Sequence, residues 1–148
     1  MKIRDVVAKA AVTIPGDGTL AEAAALMDSA NVGALLVMDG DRLAGIVTDR
    51  DVVVRAVARS YPPDARIDSV MSTGVITVDA SADVADAYRA VSGHGVRRLP
   101  VMDGHQVVGM LTVDDLLVRA VTDLGHLARP VVGELAFGHH PAPAPAVR

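Results

Sequence analysis

The chain has no cysteine and no tryptophan, and its 148 residues include three aromatic side chains, Tyr61, Tyr88 and Phe137. Without cysteine there is no disulfide framework, no thiolate metal site and no thiol nucleophile. With so few rings, Val, Ala, Leu, Ile and Met must fill any core, and stacking platforms for single-stranded bases are missing. Basic clusters are missing as well. The formal net charge is −4, so the chain lacks the electrostatic footprint that nucleic-acid binding requires. Charges break every apolar run well before the roughly 20 residues of a membrane span. Asp5 and Lys9 interrupt any signal-peptide core. A soluble, cytosolic protein with no nucleic-acid or membrane partner is expected. The five histidines, His94, His105, His126, His139 and His140, show no metal-ligand spacing, and no serine sits in a nucleophile elbow. Neither an enzyme nor a metal site is expected.

What is present is a core and a repetition. Hydrophobic residues make up 51% of the chain, enough for one ordinary domain or two small ones. The phrase GIVTDRDVVVRAV (45–57) returns 64 residues later as GMLTVDDLLVRAV (109–121). The same shift aligns Ile3–Val57 with Ile67–Val121 without a gap and makes 18 of 55 positions identical. The identities include Gly45/Gly109, Thr48/Thr112, Asp51/Asp115 and Arg55/Arg119, which are not apolar filler. A repeat that matches once implies two units packed about a pseudo-twofold axis rather than a solenoid.

Each unit reads alike. Ala11–Ile14 and Val75–Val78 are short β-branched runs, hence strands. Thr19 with Glu22 forms a capping box before LAEAAALMDSA, and Asp83 with Asp86 opens the matching helix. Two apolar strands follow in each unit, joined at Asp39-Gly40 and Asp103-Gly104, strong hairpin signals. A second helix follows each threonine and is expected to end near Arg59 and Leu124. The prolines of SYPPDAR (60–66) mark a linker. From Gly138 a Pro/Ala-rich tail is expected to be disordered.

The strand–helix–strand–strand–helix unit, its tandem pairing and the motif Gly-h-h-Thr-x-x-Asp (h apolar) resemble a pair of cystathionine β-synthase (CBS) domains, a Bateman module. RRLPVMD (97–103) and TDRD (48–51) are similar to phrases of small stand-alone bacterial members. The resemblance covers residues 1–124. It implies an α/β fold of two CBS-type repeats packed as a pseudo-twofold pair. Residues 1–59 would form the first domain, 60–66 the linker, 67–124 the second domain and 125–148 a C-terminal extension.

Thr-x-x-Asp at a helix start has two physical readings. As a capping pattern it stabilises the helix by about 1 kcal/mol. As a binding site it offers a helix N-terminus and a hydroxyl to phosphate, and a carboxylate to ribose. The resemblance implies the second reading, with Thr48, Asp51, Thr112 and Asp115 contacting an adenosine ligand. Arg97 and Arg98 stand where repeat 1 has Gly33 and Ala34. Family members carry basic residues there toward phosphate, and arginine donates in pairs to phosphate oxygens. The expected phosphate-competent cleft therefore holds Thr112, Asp115 and Arg97, with Arg98 shared or facing the other cleft. Family geometry also brings Val12, Thr13 and Ile14 near the Asp115 site, and Ile76 and Thr77 near the Asp51 site. Arg50 is either a further phosphate contact or a surface partner of Asp49 and Asp51. Asp114 adds negative charge that weighs against a triphosphate.

The expected function is a non-enzymatic regulatory or sensor module that needs no cofactor and binds AMP, ADP, ATP, S-adenosylmethionine or NAD. The resemblance also implies a homodimer formed through the helices, signalling to an unidentified protein partner. Two alternatives are kept. One is a ligand-free, stress-related scaffold that acts through protein contacts. The other is a dinucleotide-dependent enzyme, suggested by Gly16-x-Gly18-x-x-Ala21 with Asp39. Repeat 2 has no glycine at the matching loop, and Asp39 aligns with a hairpin-turn aspartate.

Overall fold

The computed structural model describes residues 1–137, so the tail expected from Gly138 lies outside the described residues. The chain divides into two compact units, Met1–Val113 and one that begins at Asp114. The first unit holds both sheets. Strands β1 (Thr13–Pro15), β2 (Ala34–Asp39) and β3 (Arg42–Thr48) form one, in the order β1-β2-β3. Strands β4 (Val78–Asp79), β5 (Arg98–Asp103) and β6 (Gln106–Thr112) form the other, in the order β4-β5-β6. In each sheet the first pair is parallel and the second is an antiparallel hairpin. The hairpins share a register under the 64-residue shift, and each has a bulge at the same place, Val37/Met38 and Val101/Met102. Gly40 and Gly104 turn them at φ +61° and +60°, a backbone region that favours glycine.

Helices α1 (Leu20–Ala30) and α3 (Val84–His94) provide the parallel crossovers. Thr19 opens α1 with a full capping box: its hydroxyl accepts the Glu22 N–H at 3.1 Å, and the Glu22 carboxylate accepts the Thr19 N–H at 2.8 Å. Leu20, Ala23 and Met27, spaced by three and four, form its buried stripe. Asp86 accepts the Asp83 N–H in the same way at the start of α3.

The two opening segments are exchanged. Ile67 and Asp68 donate their N–H groups to the carbonyls of Gly18 and Gly16, and Ile67 and Val70 lie in a core with Ile14, Leu20, Ala23, Met27, Leu35, Val37 and Val47. The other half mirrors this: Ile3 and Arg4 donate to Ala82 and Ala80. Ile3 and Ile67 are both fully buried. Each sequence repeat therefore completes the core of the other, and this reciprocity makes the pair pseudo-twofold. The crossing chain then passes over a glycine in β3 or β6. A Cβ on Gly45 would stand 2.5 Å from Met71 Sδ and 2.7 Å from the Ser72 carbonyl oxygen, and one on Gly109 would stand 2.3 Å from Val7 Cγ1. A side chain at either glycine would occupy the space through which the crossing segment runs. The first strands, expected over 11–14 and 75–78, form at Thr13–Pro15 and Val78–Asp79.

The second helices differ. After Thr48, α2 (Asp49–Asp51) passes into a π-helical turn (Val52–Ala56) and a 3-10 turn that ends at Arg59. After Thr112, α4 (Val113–Phe137) continues for 25 residues with Pro130 inside it, well past the end expected near Leu124. Along α4, Leu117, Val121, Leu124, Val131 and Leu135 are exposed, while Arg119 donates to Asp123 one turn on.

Candidate functional site

Strand β3 delivers Thr48 to the start of α2 in extended conformation, φ −111° and ψ 162°. Its hydroxyl accepts the Asp51 N–H at 3.1 Å, and the Asp51 carboxylate accepts the Thr48 N–H at 2.9 Å. The capping box is thus complete. The Thr48 hydroxyl keeps its own O–H hydrogen to donate. The Asp51 side chain is 17% exposed, and its other oxygen lies 3.5 Å from Arg55 Nε. Asp51's ionic partner is therefore Arg55, one turn on. Arg50 gives its backbone N–H to Asp49 Oδ1 at 2.8 Å.

Residues of repeat 2 come to this turn. Arg55 Nη1 donates to the Val70 carbonyl at 3.0 Å and to the Ser72 hydroxyl at 3.1 Å, while Ser72 pairs with Ile46 of β3 through both backbone groups. Arg98 lies on the other side: a point one Cβ away from Gly33 is 3.2 Å from Asp49 Oδ2 and 3.5 Å from Arg98 Nη2. Arg98 is half-buried and Arg97 exposed. Thr48 and Asp51 are thus joined at one turn, which Arg98 approaches beside Gly33 and Asp49. Asp49, Arg55 and Ser72, not singled out as site residues from sequence, join them. The identity of Arg55 and Arg119 in the repeat was the available signal.

The remaining candidates have definite places. Thr112 ends β6 opposite Arg98, and Asp115 is in the first turn of α4. The Val113 N–H donates to the Arg97 carbonyl at 3.0 Å, as the Asp49 N–H does to Gly33. The Val12 carbonyl accepts the Leu36 N–H, Thr13 faces outward on β1, and Ile14 points into the core of repeat 1. Ile76 is half-buried. Thr77 lines a cavity of about 570 Å³ with Leu43, Ala44, Val75, Met102 and His105. A larger cavity, about 760 Å³, opens by the β2–β3 turn beside Asp39, Arg42, Arg66 and Asp68. There Arg66 holds Asp68 bidentately, which lowers the Asp68 pKa from its ordinary value and raises that of Arg66. Asp79 is also held low, by the Ser81 hydroxyl and N–H. The Gly16-x-Gly18 loop is filled by chain, because the Gly16 and Gly18 carbonyls take the N–H groups of Asp68 and Ile67.

Two interlocked strand–helix–strand–strand–helix repeats, each ending its hairpin in Gly-h-h-Thr-x-x-Asp, define a paired α/β module. The chain belongs to the CBS domain family, whose model matches residues 3–57 and again 67–121. It is 31% identical over 121 residues to the CBS domain-containing protein YhcV of Bacillus subtilis, covering 82% of this chain and 86% of that one. Over 116 residues it is 36% identical to hypoxic response protein 1 of Mycobacterium tuberculosis, covering 76% and 80%. The crystal structure of Hypoxic Response Protein I with two coordinated zinc ions matches at a TM-score of 0.71 and 32% identity, covering 79% of this chain and 97% of that one. The CBS domain pair of protein MJ0100, solved in complex with 5′-methylthioadenosine and S-adenosyl-L-methionine, matches at a TM-score of 0.74 and 25% identity, covering 83% and 98%. Among the described residues no group of three or more His, Cys, Asp or Glu is placed to hold a metal, and no helix is long and apolar enough to cross a membrane.

Proposed function

We propose that this chain is a non-catalytic regulatory module whose Thr-x-x-Asp turns bind an adenosine-containing small molecule. The observation that carries the reading is the convergence at Thr48: a hydroxyl, a largely buried carboxylate and an arginine from the other repeat meet at one strand-to-helix turn. A CBS pair of the same fold holds two adenosine compounds. Asp51 would receive ribose hydroxyls, Thr48 would donate its O–H, and Arg98 would close the turn. In repeat 2, Thr112 and Arg97 are the matching candidates by sequence alignment.

The test is thermal unfolding followed by circular dichroism with adenosine, 5′-methylthioadenosine, AMP, ATP, S-adenosylmethionine and NAD. A ligand at a hundredfold over its Kd adds about 2.7 kcal/mol. For a chain of this size that is a midpoint rise of several degrees. A rise that Asp51→Ala or Asp115→Ala abolishes supports the reading, and a flat panel sinks it.

A second reading, a ligand-free scaffold, has one observation in its favour: the Thr48 box is already complete within the chain. Self-association belongs to both readings. Val53, Val54 and Val57 on repeat 1 and Leu117, Val121, Leu124, Val131 and Leu135 on α4 are all exposed, and apolar faces of this extent mark protein contacts. A homodimer mass in light scattering of the same samples is the expected result.

A further inference from the structure

Resting on the ligand-binding reading above, we propose that Asp49 sets the ligand class of the repeat 1 site. It turns phosphate away and selects an adenosine compound whose 5′ end is uncharged or cationic.

A helix start attracts phosphate when its leading N–H groups are open and its positive end is uncompensated. Neither condition holds here. The first three N–H groups of α2 are all taken within the chain: that of Asp49 by the Gly33 carbonyl at 3.0 Å, that of Arg50 by Asp49 Oδ1 at 2.8 Å, and that of Asp51 by Thr48 Oγ1 at 3.1 Å. Asp49 thus occupies the helix start with a carboxylate of its own. Its second oxygen reaches the same point beside Gly33 as the Arg98 guanidinium. The cation that repeat 2 brings to this turn therefore has the Asp49 carboxylate in its neighbourhood. A phosphate entering the turn would lose an amide donor and meet two carboxylates, Asp49 and Asp51. A thioether, hydroxyl or sulfonium at the 5′ position needs no such donor, and a sulfonium gains from the carboxylates. Repeat 2 has Val113 in place of Asp49, Arg97 in place of Gly33 and Asp114 in place of Arg50. Valine offers no acceptor and no charge at the first helical position, while Arg97 and Asp114 add charges of opposite sign.

The experiment isolates the repeat 1 turn in an Asp115→Ala background and measures adenosine, 5′-methylthioadenosine and AMP by calorimetry. A charge about 6 Å from phosphate at a partly solvated site changes affinity by about tenfold or more. Adenosine or methylthioadenosine should therefore bind at least about tenfold tighter than AMP. Asp49→Asn keeps an acceptor and removes the charge, and should raise the ratio of AMP to adenosine affinity about tenfold. Asp49→Val, which copies repeat 2 and also frees the Arg50 N–H, should raise it further. AMP binding as tightly as adenosine, or a ratio that neither variant moves, overturns the assignment of Asp49 while leaving the binding module intact. If the unmutated chain binds none of the three probes, the ligand-binding reading itself fails and this assignment with it. Should Asp115→Ala disturb folding, the Gly33 and Arg50 amide signals in NMR titrations of the unmutated chain read the same turn. They should shift with adenosine and stay fixed at a tenfold higher concentration of AMP.

Discussion

Residues 54–57 and 118–121 spell the same Val-Arg-Ala-Val, yet the helices that carry them end in different ways. In repeat 1 the helix loosens into a π turn, Ser60 takes a left-handed φ of +59°, and the Tyr61 N–H returns to the Ala56 carbonyl. Pro62 and Pro63 then bar any continuation. The aligned positions in repeat 2 hold His126 and Leu127, and α4 runs on. The shared arginine also serves two ends. Arg55 reaches across to Val70 and Ser72. Arg119 takes Asp123 instead. The alternatives are written in residues outside the phrase: Ser72 aligns with Ala8, which has no hydroxyl, and Asp123 aligns with Arg59. The repeated phrase fixes how each helix begins, and its surroundings decide where it stops and what it holds.

The strongest way to break the comparison is to ask which half a buried residue serves. Ile67 belongs to repeat 2 by sequence but is packed in the core of repeat 1 with Leu35. Ile67→Ala should cost about 2–5 kcal/mol. In urea double-mutant cycles it should couple to Leu35→Ala by about 0.5–3 kcal/mol. With Leu99→Ala, its partner by sequence repeat, it should be close to additive. Coupling to Leu99 rather than Leu35 would mean that the opening segments are not exchanged.

A smaller effect separates the two crossing points. A Cβ at Gly45 meets the Ser72 backbone oxygen at 2.7 Å as well as the flexible Met71, whereas at Gly109 the backbone contact, Lys9 oxygen, is at 3.0 Å and the nearest atom is a Val7 methyl. Side chains can turn aside more readily than backbone. Gly45→Ala should cost about 1–3 kcal/mol, and Gly109→Ala measurably less. Equal losses in urea unfolding would show that the two crossings are packed alike.

Much of this architecture was legible because it obeys local rules. The capping boxes at Thr19 and Thr48, the Asp-Gly hairpins and the order of elements all follow from short-range chemistry, and the gapless 64-residue shift supplied the pairing. The exchange of opening segments was not legible. Ile3 and Ile67 are apolar in either arrangement, and no periodicity distinguishes burial in one's own sheet from burial in the next. The length of α4 was not legible either: the helix, expected to end near Leu124, continues through Gly125 and Pro130. At the site, Thr48 and Asp51 announced themselves through spacing. Asp49 did not, since an acid at the first helical position is an ordinary surface choice. The role proposed for it rests on Gly33 and Arg98, which lie far from it along the chain.

The smallest expected effect tests the comparison through acid. The segment that crosses into repeat 1 carries the Arg66–Asp68 pair, 2.7 Å at its closest. The aligned positions in the other crossing segment are Lys2 and Arg4, both basic, and Arg4 donates to the Ala80 carbonyl instead. The first crossing segment thus carries a carboxylate whose pKa is lowered, chiefly by its hydrogen bonds from Arg66, whereas the second presents Lys2 and the Met1 amino group to Asp83 of the other repeat. A carboxyl with a lower pKa in the folded state adds stability above its unfolded value near 3.9 and loses it as pH falls through the folded value. The raised pKa of Arg66 keeps that residue charged throughout this range. The pair is substantially exposed, so its contribution should be small. Asp79 is lowered too, by Ser81, and contributes equally to the parent and to an Asp68 variant. Between pH 5 and pH 3 the parent should therefore lose slightly more stability in urea unfolding than Asp68→Asn. Hydrogen exchange should place the excess opening at the Ile67 and Asp68 amides rather than at Ile3 and Arg4. Equal pH slopes for the two proteins, or acid opening that begins at Ile3, would show that the Arg66–Asp68 pair does not secure its crossing segment.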